Sequence, residues 1–103
     1  MVINGREIGF LYTVGAYCEL NDYVVAHPDV SAATANLYKA TYMNKAYNDV
    51  NGIEGADLTV EELRKLPAYE MITLVEEMKE AEEKGSIRTV ETQEKKQKKE
   101  AQK

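Results

Sequence analysis

Four helix-breaking positions constrain this sequence more than any other feature. Pro28, Gly52, Pro67 and Gly85 each follow a stretch in which apolar side chains recur at three- and four-residue spacing. Proline removes a backbone donor and clashes with the preceding turn, and glycine accepts the left-handed conformation that ends many helices. The sequence therefore predicts a mainly α-helical, α+β fold of about four helices preceded by a short N-terminal β-hairpin.

The first twelve residues have the pattern of a β-hairpin. Val2 to Ile3 and Arg6 to Tyr12 flank Asn4 and Gly5. This pair best tolerates the two positive φ angles of a type I′ turn. Thr13 follows as a helix N-cap, because its hydroxyl can accept a hydrogen bond from a free amide of the first turn. We therefore expect the hairpin within residues 1–12 and helices over residues 13–85.

The first predicted helix ends near His27 and Pro28 and carries an apolar stripe. The members of this stripe recur at helical spacing: Val14, Tyr17, Cys18, Asn21, Val24 and Val25. We expect the stripe to face the core, with Cys18 buried there as a small hydrophobe. Tyr12, Tyr17 and Tyr47 also fit core positions.

The second predicted helix begins after Asp29 or Ser31, either of which can cap it, and ends at Asn51 and Gly52. Its main apolar face consists of Ala33, Leu37, Ala40, Met43, Asn44, Tyr47 and Val50. A second stripe, on another side, consists of Ala35, Tyr38, Tyr42 and Ala46. Tyrosine is favoured at interfaces because it buries area while keeping a polar tip. We predict that the second stripe binds a partner chain; packing against the last helix is the alternative.

The remaining segments predict two helices and a tail. Thr59 and Glu62 have the capping-box spacing of a short helix that ends before Pro67, and Pro67 suits the first turn of the next helix. The apolar face of that helix consists of Met71, Leu74, Val75, Met78 and Ala81. Residues 87–90 can add a short extended segment. We expect a single globular domain over residues 1–90 and a mobile charged tail over 91–103, which has almost nothing to bury.

The charge is unevenly distributed along the chain. Residues 1–84 carry 15 acidic and 7 basic side chains, a net charge of −8, whereas residues 85–103 carry 3 acidic and 6 basic, a net charge of +3. An acidic body argues against nucleic-acid binding, which needs cationic side chains to neutralise phosphates. No apolar run approaches the roughly 18 residues of a membrane span, and the N-terminus lacks the layout of a secretory signal. We expect a cytoplasmic protein.

No combination of residues indicates catalysis. His27 is the only histidine and Cys18 the only cysteine, so neither a zinc site nor an internal disulfide is available. Glu76 and Glu77, like Glu82 and Glu83, sit among lysines and indicate a solvated helix face. We therefore expect no enzyme activity, no catalytic residue, no cofactor and no metal.

Four segments taken together resemble the small tail assembly chaperones of long-tailed, siphovirus-type bacteriophages and prophages of Gram-positive bacteria. They are INGRE at residues 3–7, FLYTVG at 10–15, LTVEELRKLP at 58–67 and GSIRTVE at 85–91, before a lysine-rich end. Each is a generic hairpin, capping box or helix stop, so their order and spacing carry the resemblance. Residues 27–56 do not take part in it.

The resemblance implies a non-enzymatic assembly factor in the cytoplasm of the bacterial host. Such a protein binds the tape-measure protein, keeps it soluble during tail-tube assembly and is absent from the mature virion. Tail-tube subunits, a longer frameshifted form of the chain and further copies of the chain are the other implied partners. Two alternatives stay open: another phage morphogenesis or connector protein, and an acidic protein-binding inhibitor.

Overall fold

The computed structural model describes residues 1–84, which form a short antiparallel hairpin followed by four helices. This confirms the predicted fold class. The predicted extended segment at 87–90 and the predicted tail at 91–103 lie outside the described residues. The bounds of the elements are β1 at Val2–Ile3, β2 at Arg6–Glu7, α1 at Val14–Ala26, α2 at Ala32–Asn51, α3 at Val60–Arg64 and α4 over residues 70–84.

Local capping chemistry sets the helix ends, as the sequence predicts. The Thr13 hydroxyl accepts the Ala16 amide at 3.1 Å at the start of α1. Ser31, one of the two candidate caps, performs the same role for α2, and Gly52 ends α2 with φ 68°. Thr59 and Glu62 form the reciprocal capping box of α3. These interactions satisfy backbone groups that a helix end leaves unpaired.

Two boundaries differ from the predicted ones. The amides of residues 70–72 donate to the carbonyls three residues earlier, at 67–69, so Pro67 lies in a tight turn ahead of α4 and not in its first turn. The second strand ends at Glu7 and not at Tyr12. The segment beyond it leaves the sheet because its backbone bonds to α2: the Leu11 amide donates to the Met43 carbonyl at 3.0 Å.

The hairpin turn has the predicted geometry. Asn4 and Gly5 have φ angles of 52° and 77°, and Val2 pairs with Glu7 and Ile3 with Arg6. Two consecutive positive φ angles define a type I′ turn, which suits the twist of the paired strands. The hairpin contributes one deeply buried side chain, Ile3, to the core.

The core surrounds α2 and contains a polar centre. Its buried apolar members are Ile3, Ile8, Ala16, Ala40, Met43, Leu58, Leu63, Leu74 and Met78. Asn44, fully buried among them, donates to the Gly9 carbonyl at 2.9 Å and accepts the Leu58 amide at 2.8 Å. Asn48 donates to the Asn44 side-chain oxygen and to Asp57. Asn44 therefore ties two loops, one before and one after α2 in the chain, to the same helical turn.

Several residues predicted to face the core are exposed. On α2, Ala33 and Val50 lie at the two ends of the predicted face, where each lines an open hollow at the surface, and both are exposed. Val75 of α4 is also partly exposed. On α1 the whole predicted stripe is exposed, so the prediction for this helix is wrong. Its buried member is Ala16, on the opposite side.

Candidate functional site

The predicted partner-binding stripe lies beneath α1. Ala35, Tyr38, Tyr42 and Ala46 are all half-buried. The Tyr38 ring stacks on the Tyr23 ring of α1 with centroids 3.8 Å apart. Ala46 and Ala16 line a small hollow between the two helices. The structure therefore brings the four residues together, but it places them at a contact within the chain. Their binding of a partner stays a prediction.

Aromatic rings connect this stripe to the end of α1. Tyr23 stacks on His27 at 4.1 Å as well as on Tyr38, and Tyr38 lies 6.3 Å from Tyr42. Burial raises the pKa of Tyr42, and the negative charge of Glu19 adds to the effect.

The Nδ1 atom of His27 lies 2.9 Å from the Tyr23 carbonyl. The histidine thus caps a helix end, as expected for a loop residue beside Pro28.

The outward side of α1 is mostly apolar and exposed, with Tyr17 packed edge-on against Tyr12. We call it the α1 outer face: Val14, Tyr17, Cys18, Asn21, Val24 and Val25. Val14 is 81% exposed, Tyr17 57% and Val25 72%, and the Cys18 thiol is free and exposed. Cys18 and Tyr17 are therefore not core residues, contrary to prediction.

The three- and four-residue spacing predicted the wrong buried side of α1 because this helix has apolar residues all round. Only Glu19 and Asp22 are charged among its 13 residues, so the pattern has no strongly polar side to point at solvent. Ala16 is the deepest residue because its small side chain lets the α1 backbone approach α2. Leu20 and Tyr23 are half-buried along the same side.

A groove of about 360 Å³ lies where α2, α3 and the start of α4 meet. We call it the α2–α4 groove. Its walls are mostly aliphatic and include Leu37, Leu63, Leu66, Met71 and Leu74, while Arg64 and Glu70 add charge. A second hollow of about 510 Å³ lies between residues 10–13 and α4, and its charged lining residues are Glu77, Glu80 and Lys84. Sequence reasoning missed both, because distant segments form them.

Several ion pairs join separate elements of the fold. Lys39 of α2 pairs with Glu82 of α4. Glu77 accepts the terminal amine of Met1 at 2.9 Å. These two glutamates are half-buried, whereas Glu76 and Glu83 face solvent as predicted. Within residues 1–84, no three His, Cys, Asp or Glu side chains converge to hold a metal ion.

Comparisons with known proteins identify no relative of this chain. A scan of protein-family models and searches of curated proteins and of solved structures found no match to this chain. None of the helices described over residues 1–84 has both the length and the apolar character needed to cross a bilayer.

Proposed function

We propose that this protein is a tail assembly chaperone of a long-tailed bacteriophage or prophage, a non-enzymatic factor that binds the tape-measure protein and keeps it soluble during tail-tube assembly. The observation that carries the proposal is the mostly aliphatic α2–α4 groove, which lies open at the surface of so small a domain. Contiguous exposed apolar surface marks sites of protein interaction. The resemblance of the four sequence segments gives that interaction its client.

The α2–α4 groove suits a helical client. An amphipathic helix binds by laying apolar side chains at three- and four-residue spacing into an aliphatic groove. Leu37, Leu66 and Met71 supply such walls, and Arg64 and Glu70 can pair with charged groups beside the client's apolar stripe. A long tape-measure protein presents many such helices, so a shallow groove of general chemistry fits it better than a deep pocket specific for one residue.

The acidic charge of residues 1–84 supports the same role. A net charge of −8 over this part of the chain disfavours self-precipitation, because like-charged molecules repel one another. A chaperone of this charge lends solubility to an aggregation-prone client to which it binds. In this proposal the protein acts in the bacterial cytoplasm, alongside tail-tube subunits and a frameshifted longer form, and leaves before the virion is complete.

Co-expression with a tape-measure protein of a long-tailed phage or prophage that encodes this chain tests the proposal. Wild type is expected to keep most of the tape-measure protein in the supernatant after centrifugation and to co-purify with it. Ala33 and Ala68 line the groove yet are exposed, so Ala33→Glu with Ala68→Glu should place charge in the groove without unfolding the domain. This double variant should lose most of the soluble client.

The matched control carries the same charges at nearby positions of the same chain segments but outside the groove. Ala32→Glu with Ile72→Glu alters two exposed residues that do not line it, and this control should retain the client. A tape-measure protein that is equally soluble without the chaperone would contradict the proposal. Detection of the chain in purified virions by mass spectrometry would favour a connector protein instead.

A further inference from the structure

The α1 outer face has the spacing of a helix-pairing seam. Val14, Cys18, Asn21 and Val25 are separated by four, three and four residues, which is the a/d pattern of two paired helices. All four are exposed, and none is charged. Because α2 already covers the opposite side of α1, this seam is available to a second helix.

The seam is symmetric about the midpoint between Glu19 and Leu20. If a second α1 lies antiparallel across this point, Val14 meets the partner's Val25 and Cys18 meets the partner's Asn21, and each contact occurs twice. Such self-complementarity is what a twofold interface between identical chains requires.

The ends of α1 favour the antiparallel arrangement. Its first turn holds no acidic residue and its last turn no basic residue, so the partial charges at the helix ends are uncompensated by side chains of α1. An antiparallel neighbour places each N-terminus beside a C-terminus and offsets these charges. Gly15, where an added Cβ would meet only the Thr13 hydroxyl at 3.7 Å, leaves room for the approach.

We propose that a second copy of this chain covers the α1 outer face through an antiparallel α1–α1 pairing. Tyr17 and Val24 widen the apolar contact on one side of the seam. Twelve residues of helix are only about 18 Å long, so this contact buries less than the roughly 800 Å² per partner of a standard interface. The dimer is therefore expected to form in the micromolar concentration range and to exchange readily.

Sedimentation velocity of the purified full chain tests the surface. Wild type should pass from monomer to dimer between about 1 and 300 μM. Val14→Glu with Val25→Glu should raise the dissociation constant at least tenfold, because it places acidic charges at both ends of the seam. Val50→Glu with Ile72→Glu introduces the same charge at other exposed apolar positions and should dimerise as wild type does. A wild-type monomer at every concentration, or equal dimerisation of both variants, would overturn the proposal.

Cross-linking tests the orientation. Tagged wild type, whose only thiol is Cys18, is mixed with an untagged variant carrying Cys18→Ser and Asn21→Cys and is then oxidised. The antiparallel seam predicts that the mixed disulfide dimer is the main product, because residue 18 lies opposite the partner's residue 21. Preferential linking of wild type to itself would indicate a parallel pair and overturn the proposed arrangement.

Dimer formation and client binding can be tested separately. The Val14→Glu, Val25→Glu chain leaves the α2–α4 groove intact and should still hold the tape-measure protein in solution. If this variant instead loses the client while wild type alone remains monomeric, the α1 outer face belongs to the client and the pairing proposal fails. If dimerisation is confirmed but no client is bound, the proposed function fails on its own.

Discussion

The centre of α2 and the outer side of α1 place similar side chains in opposite surroundings. Around Asn44 the apolar residues are fully buried, and the asparagine has partners for both its amide nitrogen and its oxygen. On α1, Val14 and Val25 are also apolar but face solvent. The two regions therefore separate two properties: substitutions at the first should change stability, and substitutions at the second should change association.

The largest expected effect is at the buried asparagine. Asn44→Ala removes the acceptor of the Leu58 amide and the donor to the Gly9 carbonyl, and it leaves both backbone groups in the core without these partners. Each such loss has a cost of about 1–3 kcal/mol, so the free energy of unfolding should fall by about 3 kcal/mol or more. Urea denaturation followed by circular dichroism measures it.

Asn51 provides the control for this substitution. Its side chain also donates to a backbone carbonyl, that of Tyr47, but it does so at the exposed end of α2. Asn51→Ala should lower the free energy of unfolding by well under 1 kcal/mol, since surface hydrogen bonds are replaced by water. Equal losses for the two variants would mean that the buried network does not hold the loops.

The next largest effect is expected at the stripe beneath α1. Tyr38→Ser with Tyr42→Ser should lower the free energy of unfolding by about 2 kcal/mol, because both rings are half-buried and Tyr38 stacks on Tyr23. The sequence alone predicts that this pair leaves the monomer fold intact and affects only association. A double variant as stable as wild type, but defective in client or self-association, would restore that first interpretation.

A smaller effect, with a pH signature, is expected at the α3 cap. Burial alone would raise the pKa of Glu62, but hydrogen bonds from Asn4 and Thr59 and the charge of Arg6 together lower it. A carboxyl group with a lowered pKa stabilises the fold above its unfolded-state pKa, near 4.5, and this contribution is lost as the pH falls through the folded-state value.

Glu62→Gln should therefore be less stable than wild type by at most about 1 kcal/mol at pH 7, because glutamine can keep a capping-box hydrogen bond but loses the ion pair with Arg6. The difference should shrink below pH 4, where the wild-type carboxylate also becomes protonated. Thermal melts at pH 7 and pH 3 measure it. A difference that does not depend on pH would show that the charge of Glu62 is unimportant.

The sequence predicts this fold best where the causes are local. The Asn4 and Gly5 turn, the Thr13 cap and the Thr59 to Glu62 capping box all depend on residues a few positions apart, and all are confirmed. The buried side of α1 was not predictable in this way. Periodicity identifies a helix face only when the other face is polar, and α1 has apolar residues on both.

The candidate surfaces could not be predicted from local sequence patterns either, because long-range contacts form them. The stripe of Ala35, Tyr38, Tyr42 and Ala46 is correctly placed on one side of α2, but spacing along α2 carries no information about which helix covers it. The α2–α4 groove combines residues 33–37 with residues 63–74, and only the folded chain brings these segments together. The Asn44 network likewise joins a loop that precedes α2 in the chain to one that follows it.

The concentration dependence of unfolding tests most directly whether the α1 outer face serves association and not stability. Binding that occurs only in the folded state raises the unfolding midpoint as protein concentration rises. We expect the wild-type midpoint to rise between about 2 and 200 μM. The midpoint of Val14→Glu with Val25→Glu should stay constant over this range, at the value that wild type has at about 2 μM. A variant that already unfolds several degrees below wild type at 2 μM would contradict the account, because the outer face would then belong to the core of the monomer.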